Sequence, residues 1–209
     1  MTVEVGLRER KKREMRRLLA DVAMYLFAER GFDAVTVADI AAAANVSAKT
    51  VFNYFATKED LVLDGREEIE AELVRAARER APEESILSAV RRHTLLVAER
   101  MSALPAERRA GFLKVVQNSP TVHARMRQMS LQYEDQLALI LVEEATASAG
   151  DPTPRVVASL LGMLARLAFG VPGWPDGRQR SHAEIVAGIE AAFDLFERGL
   201  SEYGVQKKR

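Results

Sequence analysis

From Asn45 to Phe55 the chain reads NVSAKTVFNYF, which puts three aromatic rings into four residues although aromatics make up only 6% of the sequence. Such a run fits a buried strand, because β-branched and aromatic side chains suit a pleated surface. It also fits a short helix that turns part of its surface toward a partner. The flanks decide. Thr36, with Asp39 three residues on, has the form of a capping box and starts a short helix. Ala44-Asn45-Val46 ends that helix, since Asn tolerates turn geometry. Ser47 can cap the next helix, and Thr57 with Asp60 starts another. A strand between those caps would have no partner strand. The order is therefore helix, tight turn, short helix.

At about 100° per residue, Val51 and Phe55 share the inward face of this helix, with Val46 near its entry. Lys49 and Asn53 then point outward, Thr50 and Phe52 flank them, and Tyr54 lies at the rim. Lys and Asn can hydrogen-bond base edges and Phe can touch a thymine methyl, while the hydroxyls of Thr50 and Tyr54 suit phosphates. The second helix of a helix-turn-helix enters the major groove. Lys58 adds a cation beside free N–H groups at the start of the next helix, where an anion is favoured.

Composition sets outer limits. With 209 residues, 48% of them apolar and 29% charged, the chain suits a folded domain with a sizeable core. No apolar run approaches the roughly 18 residues that cross a membrane, and no signal-peptide pattern opens the chain. There is no cysteine, which fits a reducing cytoplasm. Zero net charge argues against a uniformly basic nucleic-acid binder, yet the charge is unevenly placed. Residues 1–20 hold Arg8, Arg10, Lys11, Lys12, Arg13, Arg16 and Arg17 against three glutamates, whereas residues 64–84 hold eight acids against four arginines. The basic run is either the solvated face of a helix or an arm for phosphates and the adjacent minor groove. Met15, Leu18, Leu19, Val22, Ala23, Leu26 and Phe27 follow helical spacing, giving a first helix over about residues 8–30 that Gly31 caps.

The pattern runs through four segments: Phe27/Gly31/Phe32; Thr36/Ile40/Ala41; Ala44/Val46/Ser47/Thr50/Val51/Phe52/Tyr54/Phe55, which contains the opening stretch; and Thr57/Lys58/Glu59/Leu61. Together they resemble the N-terminal DNA-binding domain of the tetracycline-repressor (TetR) family over roughly the first 65 residues. The resemblance implies that Thr36, Thr50, Tyr54 and Lys58 clamp phosphates and that Ala48, Lys49, Phe52 and Asn53 face the bases. Arg8, Arg10, Lys11, Lys12 and Arg13 precede the helical core with too few apolar neighbours to pack, so they are expected as a basic DNA arm. Phe52 departs from the family's tyrosine and brings no hydroxyl.

The expected fold is all-α, with about nine helices. A three-helix helix-turn-helix domain spans residues 1–56, and an effector-binding and dimerisation domain spans residues 57–209. Helices are expected over about 58–80, 83–101, 105–117, 121–148, 154–170 and 182–203, with breaks at Pro82, Pro105, Pro120 and Asp151–Pro154 and a loop over 170–177. Val156, Val157, Leu160, Leu161 and Leu164, then Ile185, Ile189, Phe193, Phe196 and Leu200, give the last two helices wide apolar faces. Ordinary core packing meets that pattern; the resemblance instead assigns both helices to a homodimer interface through which two recognition helices read a palindrome. The family plan likewise makes His93, Val97, Met101, Phe112, Met126, Met129 and Tyr133 candidate lining for an effector cavity, though Met and aromatics at helical spacing also build plain cores. Residues 104–143 resemble members with acyl-CoA-like or otherwise fatty effectors.

Enzymatic readings find little support. His93, His123 and His182 are scattered without metal-ligand spacing, and there is no phosphate-binding glycine loop or nucleophile elbow. Neither a cofactor nor a metal is expected. A helical scaffold or membrane-surface protein anchored by the basic first helix is the alternative, but it would take Val22, Leu26 and Phe27 away from Val51 and Phe55. The sequence thus points to a cytoplasmic, ligand-responsive repressor that binds a palindromic operator in double-stranded DNA as a homodimer.

Overall fold

The structure, a computed structural model, describes residues 6–145, 150–169 and 180–199. The loop expected over 170–177 and Leu200 lie outside them. Among the described residues every regular element is helical: ten α-helices and one 3-10 turn. That is one helix more than the sequence suggests. The extra one arises where a single helix was expected over 58–80: α4 covers Lys58–Val62 and α5 covers Arg66–Arg78. Between them Gly65 takes φ +79°, a left-handed conformation that interrupts a right-handed helix and favours glycine.

The chain divides into two compact units, one made of residues 1–67 and 105–128, the other of 68–104 and 129–209. In the first, α1 (Leu7–Arg30) buries Leu19, Ala20, Ala23, Leu26 and Phe27, a stripe of helical period. Gly31 stops it at φ +85°, with its N–H on the Phe27 carbonyl. The Phe27 and Phe32 rings then meet at 4.9 Å. Next come α2 (Val37–Ala43) and α3 (Ala48–Tyr54), and then α4. The capping boxes of Thr36 with Asp39 and Thr57 with Asp60 are both formed.

A further helix, α7 (Ala106–Asn118), lies along α1. Lys114 Nζ donates to the Ala28 carbonyl at 3.1 Å and Arg108 pairs with Asp21 at 2.7 Å. Gly111 faces Ala28 closely enough that an added Cβ would just touch it. Ser119, extended before Pro120 as residues preceding proline tend to be, separates α7 from α8 (Pro120–Ala145). Arg125 near the start of α8 donates to Asp60 at 2.9 Å.

In the second unit, α5 and α6 (Ile86–Ser102) pack with α8, α9 (Thr153–Arg166), the 3-10 turn Leu167–Phe169 and α10 (His182–Arg198). Their shared core contains Leu73, Val90, Val97, Leu137, Leu161, Leu164, Ile189 and Phe193. At its edge, Glu134 on α8 is buried and accepts from Arg166 on α9 at 2.7 Å. Gly162 lies against Glu134 with no room for a Cβ. Arg91 on α6 reaches Glu190 and Asp194 of α10.

Candidate nucleic-acid interface

The turn into α3 is built by hydrogen bonds local to it. Asn45 takes φ +54°, a region in which Asn is among the few tolerated side chains. Its N–H reaches the Ala42 carbonyl at 3.1 Å, and the Val46 N–H reaches Ala41 at 2.9 Å. This is a Schellman ending, which satisfies carbonyls that α2 would otherwise leave open. Ser47 then accepts from the Thr50 N–H at 3.0 Å and starts α3.

Across α3 the side chains divide as their spacing predicts. Val51 and Phe55 are buried, while Ala48, Lys49, Phe52 and Asn53 are all exposed, Phe52 by 54%. The exposed set occupies positions i, i+1, i+4 and i+5, a single face of a two-turn helix. A phenylalanine ring exposed beside Lys and Asn leaves apolar surface in contact with water.

The residues expected at phosphates are placed as follows. Thr50 and Tyr54 are half-buried at the edges of that face, and Thr36 is exposed. The hydroxyl of Thr50 is within 2.8 Å of Ser47 Oγ. The hydroxyl of Thr36 donates to Asp39, and this bond, with that of the Thr36 N–H, holds the Asp39 carboxyl below its usual range. Lys58 does something its sequence gave no sign of. Its Nζ donates to the carbonyls of Phe32 at 2.9 Å and Val35 at 3.0 Å, and sits 4.1 Å from the centroid of the Phe32 ring. It therefore pins the loop between α1 and α2, with one of its three protons left over for an anion. Arg8, Arg10, Lys11, Lys12 and Arg13 are exposed and helical, in the first turns of α1. Arg10 is 3.7 Å from Glu14, so the basic run is a cationic helix face.

Arg16 belongs to the same basic run but makes different contacts. It donates to Asp64 at 2.7 Å and to the Tyr54 carbonyl at 3.0 Å, and lies over the Phe55 ring at 4.5 Å. No local sequence pattern signals these contacts.

The expected effector residues fall apart into two groups. His93 and Val97 line one cavity, together with Ile69, Glu70, Leu73, Ala165 and Phe169. Met101 and Tyr133 pack against the neighbouring core, and Met129 is buried in the same unit. Phe112 and Met126 belong to the first unit. The cavity is about 10 Å³, room for a single water. Burial pushes the His93 imidazole below the usual histidine range, against the opposing pull of Glu72 and a hydrogen bond to the Ile69 backbone. Of the residues expected at a dimer interface, Leu161, Leu164, Ile189 and Phe193 are buried in the chain's own core. Val157, Leu160, Ile185 and Phe196 are half-buried, and Val156 and Met163 on α9 are exposed.

Residues 19–64 match the family model described as bacterial regulatory proteins, tetR family. The HTH-type transcriptional regulator TcmR of Streptomyces glaucescens is 27% identical over 168 residues, covering 78% of this chain and 74% of that protein. Thermus thermophilus FadR, a TetR-family transcriptional repressor solved in complex with lauroyl-CoA, is 25% identical with a TM-score of 0.51, over 92% of this chain and 97% of that one. Pseudomonas aeruginosa NalD, the secondary repressor of the MexAB-OprM multidrug efflux pump, shares the fold at a TM-score of 0.56 and 18% identity, covering 88% and 96%.

Proposed function

Because the chain belongs to the tetR family of bacterial regulatory proteins, which are DNA-binding transcriptional regulators, we propose that it is a cytoplasmic repressor that binds a palindromic operator as a homodimer. The observation that carries this reading is the exposed face of Ala48, Lys49, Phe52 and Asn53, backed by buried Val51 and Phe55. In this reading residues 1–56 read the DNA and residues 57–209 hold the effector and the partner copy. Lys49 and Asn53 hydrogen-bond base edges, and Thr36, Thr50, Tyr54 and the spare proton of Lys58 hold phosphates. The cationic start of α1 lies along the backbone or the adjacent minor groove. The two-fold dimer forms through α9 and α10, with Val156, Val157, Leu160, Met163, Ile185 and Phe196 outward and the buried Leu161, Leu164, Ile189 and Phe193 supporting them.

The proposed effector is a small apolar or amphipathic molecule, of the acyl-CoA kind that FadR was solved with. Its apolar body faces Ile69, Leu73, Val97 and Phe169, and an anionic head stays clear of Glu70. Because the cavity holds only about one water, such a ligand enters by displacing side chains. Binding and rearrangement are then one event, and DNA affinity falls by the ligand's preference for the opened form, typically about 1–3 kcal/mol.

A competition gel shift with a duplex selected from a random pool tests the DNA reading. Lys49→Ala and Asn53→Ala should each lower discrimination against random DNA by about 1–3 kcal/mol. Unchanged discrimination in both would remove the assignment of the face. Repeating the titration across salt concentrations reads the basic run: removing Arg8–Arg13 makes the logarithmic slope shallower by about 0.9 per lost phosphate contact.

A further inference from the structure

The guanidinium of Arg16 joins three things that lie far apart in sequence. Its Nε donates to Asp64 Oδ1 at 2.7 Å, its Nη1 donates to the Tyr54 backbone carbonyl at 3.0 Å, and its central carbon stacks 4.5 Å from the Phe55 ring centroid. Tyr54 is the last residue of α3, so its carbonyl is one of those a helix leaves without an intrahelical partner. Asp64 lies in the connection between α4 and α5.

We infer that Arg16 is a positioning residue for DNA recognition, which sets the angle of the reading helix from behind and does not itself touch DNA. The inference rests on the DNA-reading role proposed for α3. That helix has only seven residues, and two of its base-facing side chains, Phe52 and Asn53, stand in its final turn. The first turn is fixed by Ser47 and the Schellman ending before it. The final turn is held by the burial of Phe55 and by the Arg16 bond to Tyr54. A planar guanidinium holds a ring, a carboxylate and a carbonyl in one fixed fork geometry, which the compact point charge of a lysine ammonium at the same position does not reproduce. Two of the five Arg16 donors point into the domain, and its side chain is only 34% exposed. This sets it apart from the exposed cations of the preceding two turns.

Asp64 makes the inference testable by sign. On charge alone, removing a carboxylate strengthens binding to polyanionic DNA. If Asp64 orients Arg16, its removal weakens the specific complex. The full chain is compared with Arg16→Lys, Asp64→Asn and the double variant, by fluorescence anisotropy on the selected operator and on a random duplex, at several salt concentrations. Each single variant should lower the operator-to-random ratio about tenfold, the scale of one charge-assisted hydrogen bond. For Arg16→Lys the random-duplex affinity and the salt slope should stay as in the unaltered chain, for Asp64→Asn random-duplex affinity should not fall, and the double variant's ratio should be no worse than the singles', because they break one linkage. Equal loss on both duplexes with a shallower slope would make Arg16 a phosphate contact and overturn the inference. So would a gain on both duplexes for Asp64→Asn, or a lower melting temperature with an unchanged ratio. If the unaltered chain selects no sequence, the DNA-reading role itself falls, separately from any result on the variants.

Discussion

Replacing Gly162 by alanine tests a site in the second unit where there is no room for a Cβ. A Cβ there would lie 2.7 Å from Glu134 Cγ, 2.9 Å from Oε1 and 3.1 Å from Cδ, so Glu134 has to move. Its side chain is the one that accepts from Arg166 at 2.7 Å, and the residue is 5% exposed. Alanine is favoured over glycine within a helix by about 1 kcal/mol. Overpacking a close-packed site costs about 1–3 kcal/mol. Breaking a fully buried ion pair costs about 3–5 kcal/mol, but Arg166 is 32% exposed and water replaces part of what it loses. The balance is a net destabilisation of about 1–3 kcal/mol, read as a lower midpoint in urea unfolding followed by far-UV ellipticity. In a Glu134→Ala background the obstacle is gone. The same substitution should then stabilise by about 1 kcal/mol, the helix preference alone. A Gly162→Ala effect of the same sign in both backgrounds would refute the argument.

His93 should make stability depend on pH. Its folded pKa lies below the usual value because of burial, so the unfolded chain takes up the proton first as pH falls through about 6.5. The contribution is present above that pH and lost below it, with a slope of at most about 1.4 kcal/mol per pH unit. Urea midpoints between pH 8 and 5.5 should show the loss, and His93→Gln should flatten it; an unaltered profile in the variant would place the dependence elsewhere. Asn45→Gly should leave stability nearly unchanged, whereas Asn45→Val should cost about 1–2 kcal/mol, because a β-branched residue is strained at φ +54°. Equal denaturation midpoints would contradict this. Acyl-CoAs of graded chain length should raise the melting temperature, with about 2.7 kcal/mol of stabilisation at 100 times the dissociation constant. No shift at any length would remove the fatty-effector proposal while leaving the DNA reading intact.

What the sequence disclosed follows the range of the interactions. Thr36, Asn45, Ser47 and Thr57 act on backbone groups at most four residues away, so each helix boundary around α3 was legible. The inward turn of Val51 and Phe55 followed from period alone. The break at Gly65 was hidden because the apolar spacing of Leu61, Val62, Ile69 and Leu73 continues across it, and a lone glycine costs a helix too little to forbid it. The clasps of Arg16 and Lys58 were not legible, since a charged side chain on a helix carries no local mark of a partner 20 to 50 residues away. Amphipathic spacing likewise put Leu161, Leu164, Ile189 and Phe193 on an apolar face without saying whose core the face serves. They fill this chain's own.

The docking of α7 along α1 also bears on the order in which the molecule assembles. The capping box at Thr36 closes over three residues, whereas the bond from Lys114 to Ala28 spans 86. By the logarithmic dependence of ring closure on length, the longer closure costs roughly 3 kcal/mol more chain entropy. The caps and turns around α3 are therefore within reach of the chain before α7 arrives. Until it does, the side of α1 that α7 covers stays open to water. During synthesis that side of α1 stays uncovered at least until the ribosome has passed Asn118, a matter of seconds at about 5–20 residues per second.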